Sequence, residues 1–220
     1  MLKKVRAVTT ALFFLTCSAT AQGHYDVSAN AAALFTTTAS GNGISQSATI
    51  GSNYFGTFRV RFKPRHSIAF NYGRAKNSQV YEPAFDIHVL TNITEYSGAY
   101  IYTPLKTGRF EPFVLAGGGA LVFNPRSTWL FLADFANNVP DRIPIDVGTV
   151  SQTEIAFLYG AGVDMRLPKF SRLALRLQYR GFLYNAPDFK VNGVNGSSLS
   201  FFTGAKANMA EPSLGLVFRF

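Results

Sequence analysis

Three segments of the chain alternate apolar with polar or small residues at a period of two, which is the pattern of β-strands. In the clearest of them, one face carries Tyr54, Gly56, Phe58, Val60 and Phe62. The opposite face carries Thr57, Arg59 and Arg61. Segments 154–167 and 172–180 repeat the pattern. Because successive side chains of a strand point to opposite faces, these segments predict an all-β fold whose sheet has one apolar and one polar surface.

The connections between the predicted strands alternate strictly between short and long. The short connections are 63–65, 104–109 and 167–171. The long connections are 37–47, 74–85, 124–151 and 185–208. A soluble β-sandwich also has alternating strands, but nothing in that fold sorts loop lengths by end. Transmembrane barrels do sort them, with short periplasmic turns and long outer loops, so the spacing favours a membrane barrel.

Counting between these connections predicts eight strands. Their approximate bounds are 24–36, 49–62, 65–75, 93–104, 109–123, 152–166, 171–184 and 209–220. The predicted fold is an all-β, eight-stranded antiparallel up-and-down transmembrane β-barrel, closed because hydrocarbon offers no partner to an open strand edge. An even count places both ends of the barrel on the periplasmic side. Residues 85–94 also have strand character, so they either lengthen the fourth strand above the membrane or belong to a ten-strand variant.

The N-terminus predicts a secretory signal peptide over residues 1–21. Lys3 and Arg6 precede a short apolar stretch, 7–15, and residues 19–21 read Ala-Thr-Ala, a small-x-small cleavage site. No window of the chain holds the roughly 18 consecutive apolar residues of a transmembrane helix. We therefore expect an export signal followed by a barrel domain over 22–220.

The chain ends in an alternating apolar strand that is capped by an aromatic residue. Leu216, Phe218 and Phe220 lie on one face of this strand. This ending resembles the signal that the outer-membrane barrel assembly machinery reads. Three further motifs are Phe-Glu-Pro-Phe at 110–113 before three glycines, Tyr-Gly-Ala-Gly-Val-Asp at 159–164, and Leu-Ala-Leu-Arg at 173–176. With these motifs the chain resembles the small OmpA/OmpX-type outer-membrane β-barrel family over residues 24–220.

The resemblance implies a location in the outer membrane of a Gram-negative-type cell. It also implies insertion by the barrel assembly machinery and contact with membrane lipids and lipopolysaccharide. It implies no particular activity.

Charged residues lie on the faces that we expect to line the barrel lumen. They are Arg59, Arg61, Glu95, Glu154, Asp164, Arg166, Arg172, Arg176, Arg180, Glu211 and Arg219. An eight-stranded barrel is just wide enough for side chains to fill it, and buried charges need partners. One interpretation is therefore a solid, salt-bridged interior. The other is a narrow, water-filled pore that favours anions, gated by Arg176 or Arg180 paired with Glu154 or Asp164.

Aromatic residues make up 15% of the chain, and two girdles at the membrane–water interfaces account for them without a ligand. At the inner level we expect Phe62, Tyr100, Tyr102 and Phe220. At the outer level we expect Tyr72 and Tyr184. Basic residues are interleaved with apolar ones rather than clustered, so we expect no nucleic-acid partner.

No constellation of residues predicts an enzyme. His66 and Ser67 are adjacent, but neighbours on a strand point to opposite faces. His88 lies near the outer rim, and no serine, cysteine or carboxylate is spaced to orient it. Three histidines and one cysteine make no zinc-ligand cluster, and the glycines at 117–119 lack the lysine and helix of a phosphate loop. We therefore expect no catalytic residue, no cofactor and no metal.

The third outer loop holds an apolar stretch, 128–135, with the only tryptophan of the chain. Its candidate contact residues are Trp129, Leu130, Phe131 and Phe135. The stretch either folds down as a plug over the mouth of the barrel or stays exposed as a patch for a partner. Because binding residues are common on the loops of rigid scaffolds, we expect a structural or surface-interaction scaffold. The alternatives are a small anion-leaning pore and, third, an enzyme that modifies lipid A.

Overall fold

The structure is a computed structural model that describes residues 24–82, 86–105, 108–133, 140–145, 151–192, 198–200 and 202–220. The predicted signal peptide and Phe135 lie outside these residues. Among the described residues no helix has the length and apolar character to cross a membrane.

Thirteen strands follow one another along the described chain. They are β1 (Tyr25–Thr36), β2 (Ala39–Gly41), β3 (Ile44–Ala48), β4 (Gly51–Lys63), β5 (His66–Glu82), β6 (Asp86–Tyr102), β7 (Phe110–Ala133), β8 (Pro140–Ile145), β9 (Gln152–Arg166), β10 (Leu173–Asn185), β11 (Lys190–Asn192), β12 (Ser198–Ser200) and β13 (Lys206–Arg219).

The eight long strands form a closed antiparallel barrel in chain order. Each of β1, β4, β5, β6, β7, β9, β10 and β13 pairs with the next, and β13 pairs back onto β1. At the seam between first and last strands, the Tyr25 N–H donates to the Phe220 carbonyl at 3.2 Å, and the Phe220 N–H donates to the Tyr25 carbonyl at 3.0 Å. The predicted eight-stranded up-and-down barrel is confirmed, and both ends of the barrel lie at the end that carries the short turns.

The two faces of the strands differ as the alternation predicts. Outward faces carry exposed apolar and aromatic side chains that form a continuous apolar belt around the barrel. The belt includes Val27, Tyr54, Phe58, Ile68, Phe70, Tyr72, Tyr96, Tyr100, Val114, Phe157, Leu177, Leu214, Leu216 and Phe218. Inward faces carry the buried charged and polar residues. A soluble barrel would bury its apolar face, so this arrangement is that of a barrel surrounded by lipid.

The barrel is longer at its outer end than the sequence predicts. We expected loops over 74–85 and 124–151, but β5 continues to Glu82 and β7 continues to Ala133. The reason is tertiary: β6 pairs with both neighbours along its whole length, for example His88 with Trp129, and β8 pairs on the far side of β7. We call the outer parts of these strands, 77–82 of β5, 86–91 of β6 and 125–133 of β7, together with β8, the outer extension.

Glycines allow the backbones of β6 and β7 to approach closely. A Cβ atom added at Gly117 would lie 2.0 Å from the carbonyl oxygen of Gly98, and one added at Gly119 would lie 2.3 Å from that of Tyr96. Real Cβ atoms do not come so near to a backbone oxygen. The run of glycines is therefore explained by strand packing, as expected for glycine inside a strand.

Candidate functional site

The lumen nearest the short turns is filled by charged side chains, which we call the inner cluster. Its members are Asp26, Arg59, Arg61, Glu111, Asp164, Arg166, Arg176 and Arg219. They come from six strands, because a closed barrel brings the inward positions of all its strands to one axis. Five arginines face three carboxylates, so the cluster has a net positive charge.

Asp164 of β9 is the hub of the inner cluster. Its Oδ2 atom accepts from Arg59 Nη2 at 2.6 Å and its Oδ1 atom accepts from Arg176 Nε at 2.7 Å. Arg219 Nη2 approaches Oδ2 at 3.4 Å. The Asp164 side chain is fully buried. Charge-assisted hydrogen bonds of this length are among the strong ones, so the hub ties three other strands to β9.

Asp26 and Glu111 complete the inner cluster from β1 and β7. Asp26 Oδ2 lies 2.7 Å from Arg59 Nη2 and 3.1 Å from Arg61 Nη2. Glu111 Oε2 lies 2.8 Å from Arg219 Nη2, and its Oε1 atom accepts from Arg166.

A second charged group, the middle cluster, lies further toward the outer end and consists of Glu95, Arg180 and Glu211. Arg180 Nε donates to Glu211 Oε2 at 2.7 Å, and its Nη1 and Nη2 atoms donate to Glu95 at 2.9 and 2.8 Å. The guanidinium also stacks over the Phe55 ring, with Cζ 3.6 Å from the ring centroid. All three side chains are buried, so one cation is shared by two carboxylates.

Most of the lumen residues named from sequence meet in these two clusters. Arg59, Arg61, Asp164, Arg166, Arg176 and Arg219 are in the inner cluster, and Glu95, Arg180 and Glu211 are in the middle cluster. Two of the named residues are not. Arg172 was wrongly placed in the lumen: it lies in the turn before β10 and is exposed. Glu154 faces inward near the outer end, where the described residues give it no ion pair.

Sequence reasoning missed Asp26 and Glu111. A signal for Asp26 existed, because Asp26, Ser28 and Asn30 place a polar residue at every second position of β1. Glu111 gave a weaker signal, since it stands alone between Phe110 and Pro112.

An apolar layer closes the lumen above the middle cluster. Leu34, Ile93, Leu121, Phe123, Leu158, Phe182 and Met209 are buried there in one hydrophobic core. Tyr184 joins them, with its ring centroid 5.6 Å from that of Phe123. Its predicted place in the outer girdle is wrong, because Tyr184 shares the inward parity of Arg176 and Arg180 on β10. Tyr72, Tyr100 and Phe62 do face outward and are exposed.

The mouth of the barrel is covered by residues 186–189, which follow β10. Ala186 and Phe189 are buried, and the Phe189 ring meets the Tyr81 ring edge-on at 6.2 Å. The Tyr81 hydroxyl donates to the Pro187 carbonyl at 3.3 Å. Burial raises the pKa of this hydroxyl well above its ordinary value, so it stays a donor. The Asp188 N–H donates to Gln152 Oε1 at 2.7 Å, which fixes the segment to β9.

The predicted histidine sites do not form catalytic arrangements. Ser67 is buried in the lumen, whereas His66 lies outside, where its Nδ1 atom is hydrogen-bonded to the Tyr100 hydroxyl. The His66 ring packs against Tyr102 at 5.3 Å, within the inner aromatic girdle. His24 is exposed. The side chain of His88 lies outside the described part of the structure.

Solved structures with this barrel fold include two outer-membrane proteins. The outer membrane protein OprG from Pseudomonas aeruginosa has a TM-score of 0.58 and 13% identity, with 90% of this chain and 96% of that chain covered. A major outer membrane protein from Thermus thermophilus has a TM-score of 0.52 and 14% identity, with 89% and 99% covered. The chain has the fold of an outer-membrane β-barrel. No protein-family model and no curated protein matches it, so the likeness of this barrel to known proteins is one of fold.

Proposed function

We propose that the chain is an integral outer-membrane protein that acts as a closed, non-catalytic scaffold and presents its outer extension to a partner at the cell surface. The observation that carries this proposal is the filled lumen: two charged clusters, an apolar layer and the 186–189 cover follow one another along the barrel axis. The scaffold then has its free surface at the outer end.

The outward surface supports a membrane location. At the inner end of the barrel, the apolar belt is bordered by turns that carry exposed basic side chains. These are Lys63, Arg65, Arg109, Lys169 and Arg172. Basic side chains at this level can contact anionic lipid head groups, while the belt lies in the hydrocarbon.

The lumen packing supports a scaffold rather than the anion-leaning pore. Arg176 and Arg180, the arginines that a pore would expose to passing ions, are 1% and 0% exposed. Each is held by carboxylates at 2.7–2.9 Å. A water-filled route for ions through the lumen could form only if these contacts broke and the apolar layer above them opened.

The outer extension supports a role in contact with a partner. It continues the sheet beyond the polar edge of the belt, where Arg74, Lys76 and Asn92 replace apolar residues on the outward face. Trp129, Leu130 and Phe131 lie in the part of β7 that pairs with β6 and β8. A rigid paired strand is a better platform for contact residues than a free loop, because less conformational entropy is lost on binding.

The purified mature chain, refolded into a planar bilayer, is expected to give no stable single-channel conductance steps. The physical reason is that the lumen is filled at four successive levels: the inner cluster, the middle cluster, the apolar layer and the 186–189 cover. Insertion is checked separately by the heat-dependent mobility shift of the folded barrel on gels. Reproducible steps from inserted protein would contradict the closed scaffold and favour the pore.

Replacing Trp129, Leu130 and Phe131 together by threonine is expected to reduce surface attachment while the barrel still folds. Threonine keeps the strand propensity of β7 and removes the large apolar side chains. The assay measures attachment of a Gram-negative host that displays the chain to hydrophobic polystyrene, and we expect a loss of about tenfold or more. The matched control replaces Val191 and Leu199 of the β11–β12 hairpin by threonine. Equal attachment by both variants, at equal surface amounts, would show that the extension is not the contact surface.

A further inference from the structure

An apolar groove of about 640 Å³ runs along the outward face of β1. Its floor is made of small residues, Ala29, Ala31 and Gly56. One wall is formed by Tyr54 and Tyr72, and the other by Leu175, Leu214 and Leu216. The groove is shallow and open on its outward side, so it can hold a chain lying along the barrel surface rather than enclose a molecule.

The walls exist because the strand register aligns large side chains on both sides of a small-residue column. Ala31 lies between Tyr54 of β4 and Leu214 of β13. One step toward the inner end, Ala29 lies between Gly56 and Leu216. Below that step the column ends at Val27, which lies between Phe58 and Phe218. The groove is therefore closed at its inner end and open toward the outer rim.

A cation lies at the open end of the groove. Arg74 lines it and is paired in register with Tyr54. Its Nε atom donates to the Tyr72 hydroxyl at 2.9 Å, and its guanidinium carbon lies 5.9 Å from the Tyr72 ring centroid. This contact turns the side chain back along the groove wall. Lys76 follows on the same outward face, one register step further out.

Neither cation has an anionic partner in the described part of the chain. The ion pairs there all join residues of the lumen. On the eight barrel strands, every carboxylate whose side chain is described faces inward. These carboxylates are Asp26, Glu95, Glu111, Glu154, Asp164 and Glu211. The outer rim beside the groove therefore presents positive charge that none of these described carboxylates neutralises.

We propose that this groove binds one acyl chain of a lipid with an anionic phosphate head group, and that Arg74 and Lys76 bind the phosphate. The apolar part of the site lies within the belt, and the cations lie where outward residues change from apolar to polar. A phospholipid has the same order along its length, with an apolar acyl chain that fits the groove and an anionic phosphate that reaches the cations. This inference goes beyond the scaffold function and does not depend on it.

A second copy of the chain fits the groove less well than a lipid. A symmetric dimer places the same patch of both copies face to face. Here that would set groove against groove and Arg74 near Arg74, which leaves a void between like charges. Charge and shape both favour the anionic lipid.

The test uses the full mature chain, refolded in a zwitterionic detergent and incubated with phosphatidylglycerol or phosphatidylcholine that carry the same acyl chains. Native mass spectrometry counts the lipids retained per barrel. We expect one retained phosphatidylglycerol and a preference of about tenfold or more over the net-neutral phosphatidylcholine, because two cations face its head group.

Two sets of variants separate the acyl-chain site from the head-group site. Ala31→Phe fills the groove, and its matched control, Ala161→Phe, enlarges an outward alanine of β9. We expect Ala31→Phe to lose retention of both lipids and the control to keep it. Arg74→Gln with Lys76→Gln is expected to abolish the preference for phosphatidylglycerol. Its control, Arg126→Gln with Lys206→Gln, removes two other exposed cations and should keep that preference.

Equal retention by Ala31→Phe and Ala161→Phe would overturn the groove as the acyl-chain site. If the variant with Arg74→Gln and Lys76→Gln kept the preference for phosphatidylglycerol over phosphatidylcholine, the assignment of these two cations to the head group would be overturned. A concentration-dependent dimer that only Ala31→Phe abolishes would identify a second copy as the occupant instead. If Ala31→Phe does not give the folded mobility shift, Ala29→Leu, which fills the lower half of the groove, takes its place.

Discussion

Replacing Arg180 with leucine is expected to lower the free energy of unfolding of the barrel by about 3–5 kcal/mol, because it leaves two buried carboxylates without their cation. Arg180 donates to Glu95 and Glu211 through Nε and both terminal nitrogens. Leucine supplies neither charge nor donor. The apolar layer that starts at Phe182 keeps water from replacing the lost contacts from the outer side. The measurement is the urea dependence of unfolding in phospholipid vesicles, followed by circular dichroism and gel mobility.

The control for Arg180→Leu is Arg172→Leu, which removes an exposed arginine from the turn before the same strand. We expect this control to stay within about 0.5 kcal/mol of the natural chain, as is usual for surface substitutions. A triple variant, Arg180→Met with Glu95→Gln and Glu211→Gln, removes the charges together and should recover most of the loss. Similar stabilities of Arg180→Leu and Arg172→Leu would contradict the middle cluster as a buried, paired network.

Replacing Asp164 with alanine is expected to destabilise the barrel by a similar amount, about 3–5 kcal/mol, for the opposite electrostatic reason. The three arginines that converge on Asp164 would then have only Asp26 and Glu111 left, in a cluster that already has excess positive charge. Glu154→Ala is the matched control, since it removes an inward carboxylate of the same strand that has no ion pair among the described residues. Urea unfolding in vesicles again gives the comparison.

A double-mutant cycle makes the Asp164 prediction sharper. Arg176 contacts Asp164 through Nε at 2.7 Å, so the losses of Asp164→Ala and Arg176→Met should not add. We expect the double variant to be more stable than the sum of the single losses predicts, because it removes one charge of each sign. If the losses in the free energy of unfolding add strictly, Asp164 and Arg176 stabilise the barrel independently, which would contradict their ion pair as a source of stability.

The strands and their faces could be predicted because a membrane barrel has a simple periodicity. Lipid selects apolar residues at the outward positions, every second one along a strand, whereas the inward positions hold paired charges, polar or small residues and, toward the outer end, a packed apolar layer. In the segment from Tyr54 to Phe62, the residues named for each face from sequence lie on that face. Phe55 is the inward exception, a buried aromatic ring that packs under Arg180. The same rule, applied from Arg180 along β10, would have placed Tyr184 inside. That error came from judging an aromatic residue by its type rather than its parity.

The partners within the lumen could not be predicted, because they depend on the stagger between distant strands. Arg59 and Asp164 are far apart in sequence and meet across the barrel axis at 2.6 Å. No local sequence pattern indicates which inward-facing residues lie at the same height along the barrel axis. The groove over β1 could not be predicted for a related reason. Its floor and walls lie on five strands, and only the register of these strands places large side chains on both sides of the alanines.

The seam between Tyr25 and Phe220 has a consequence for the kinetics of folding. The strand that pairs with β1 is the last of the barrel strands along the chain, so the contacts that close the barrel span almost all of the barrel sequence. Contacts with such large sequence separation form slowly, since most of the loop-closure entropy is lost before they form. Until β13 arrives, the unpaired edges of β1 and β10 remain open to other chains and to aggregation. Correct closure of the barrel therefore requires that the edges of β1 and β10 stay free of other chains until β13 pairs with both.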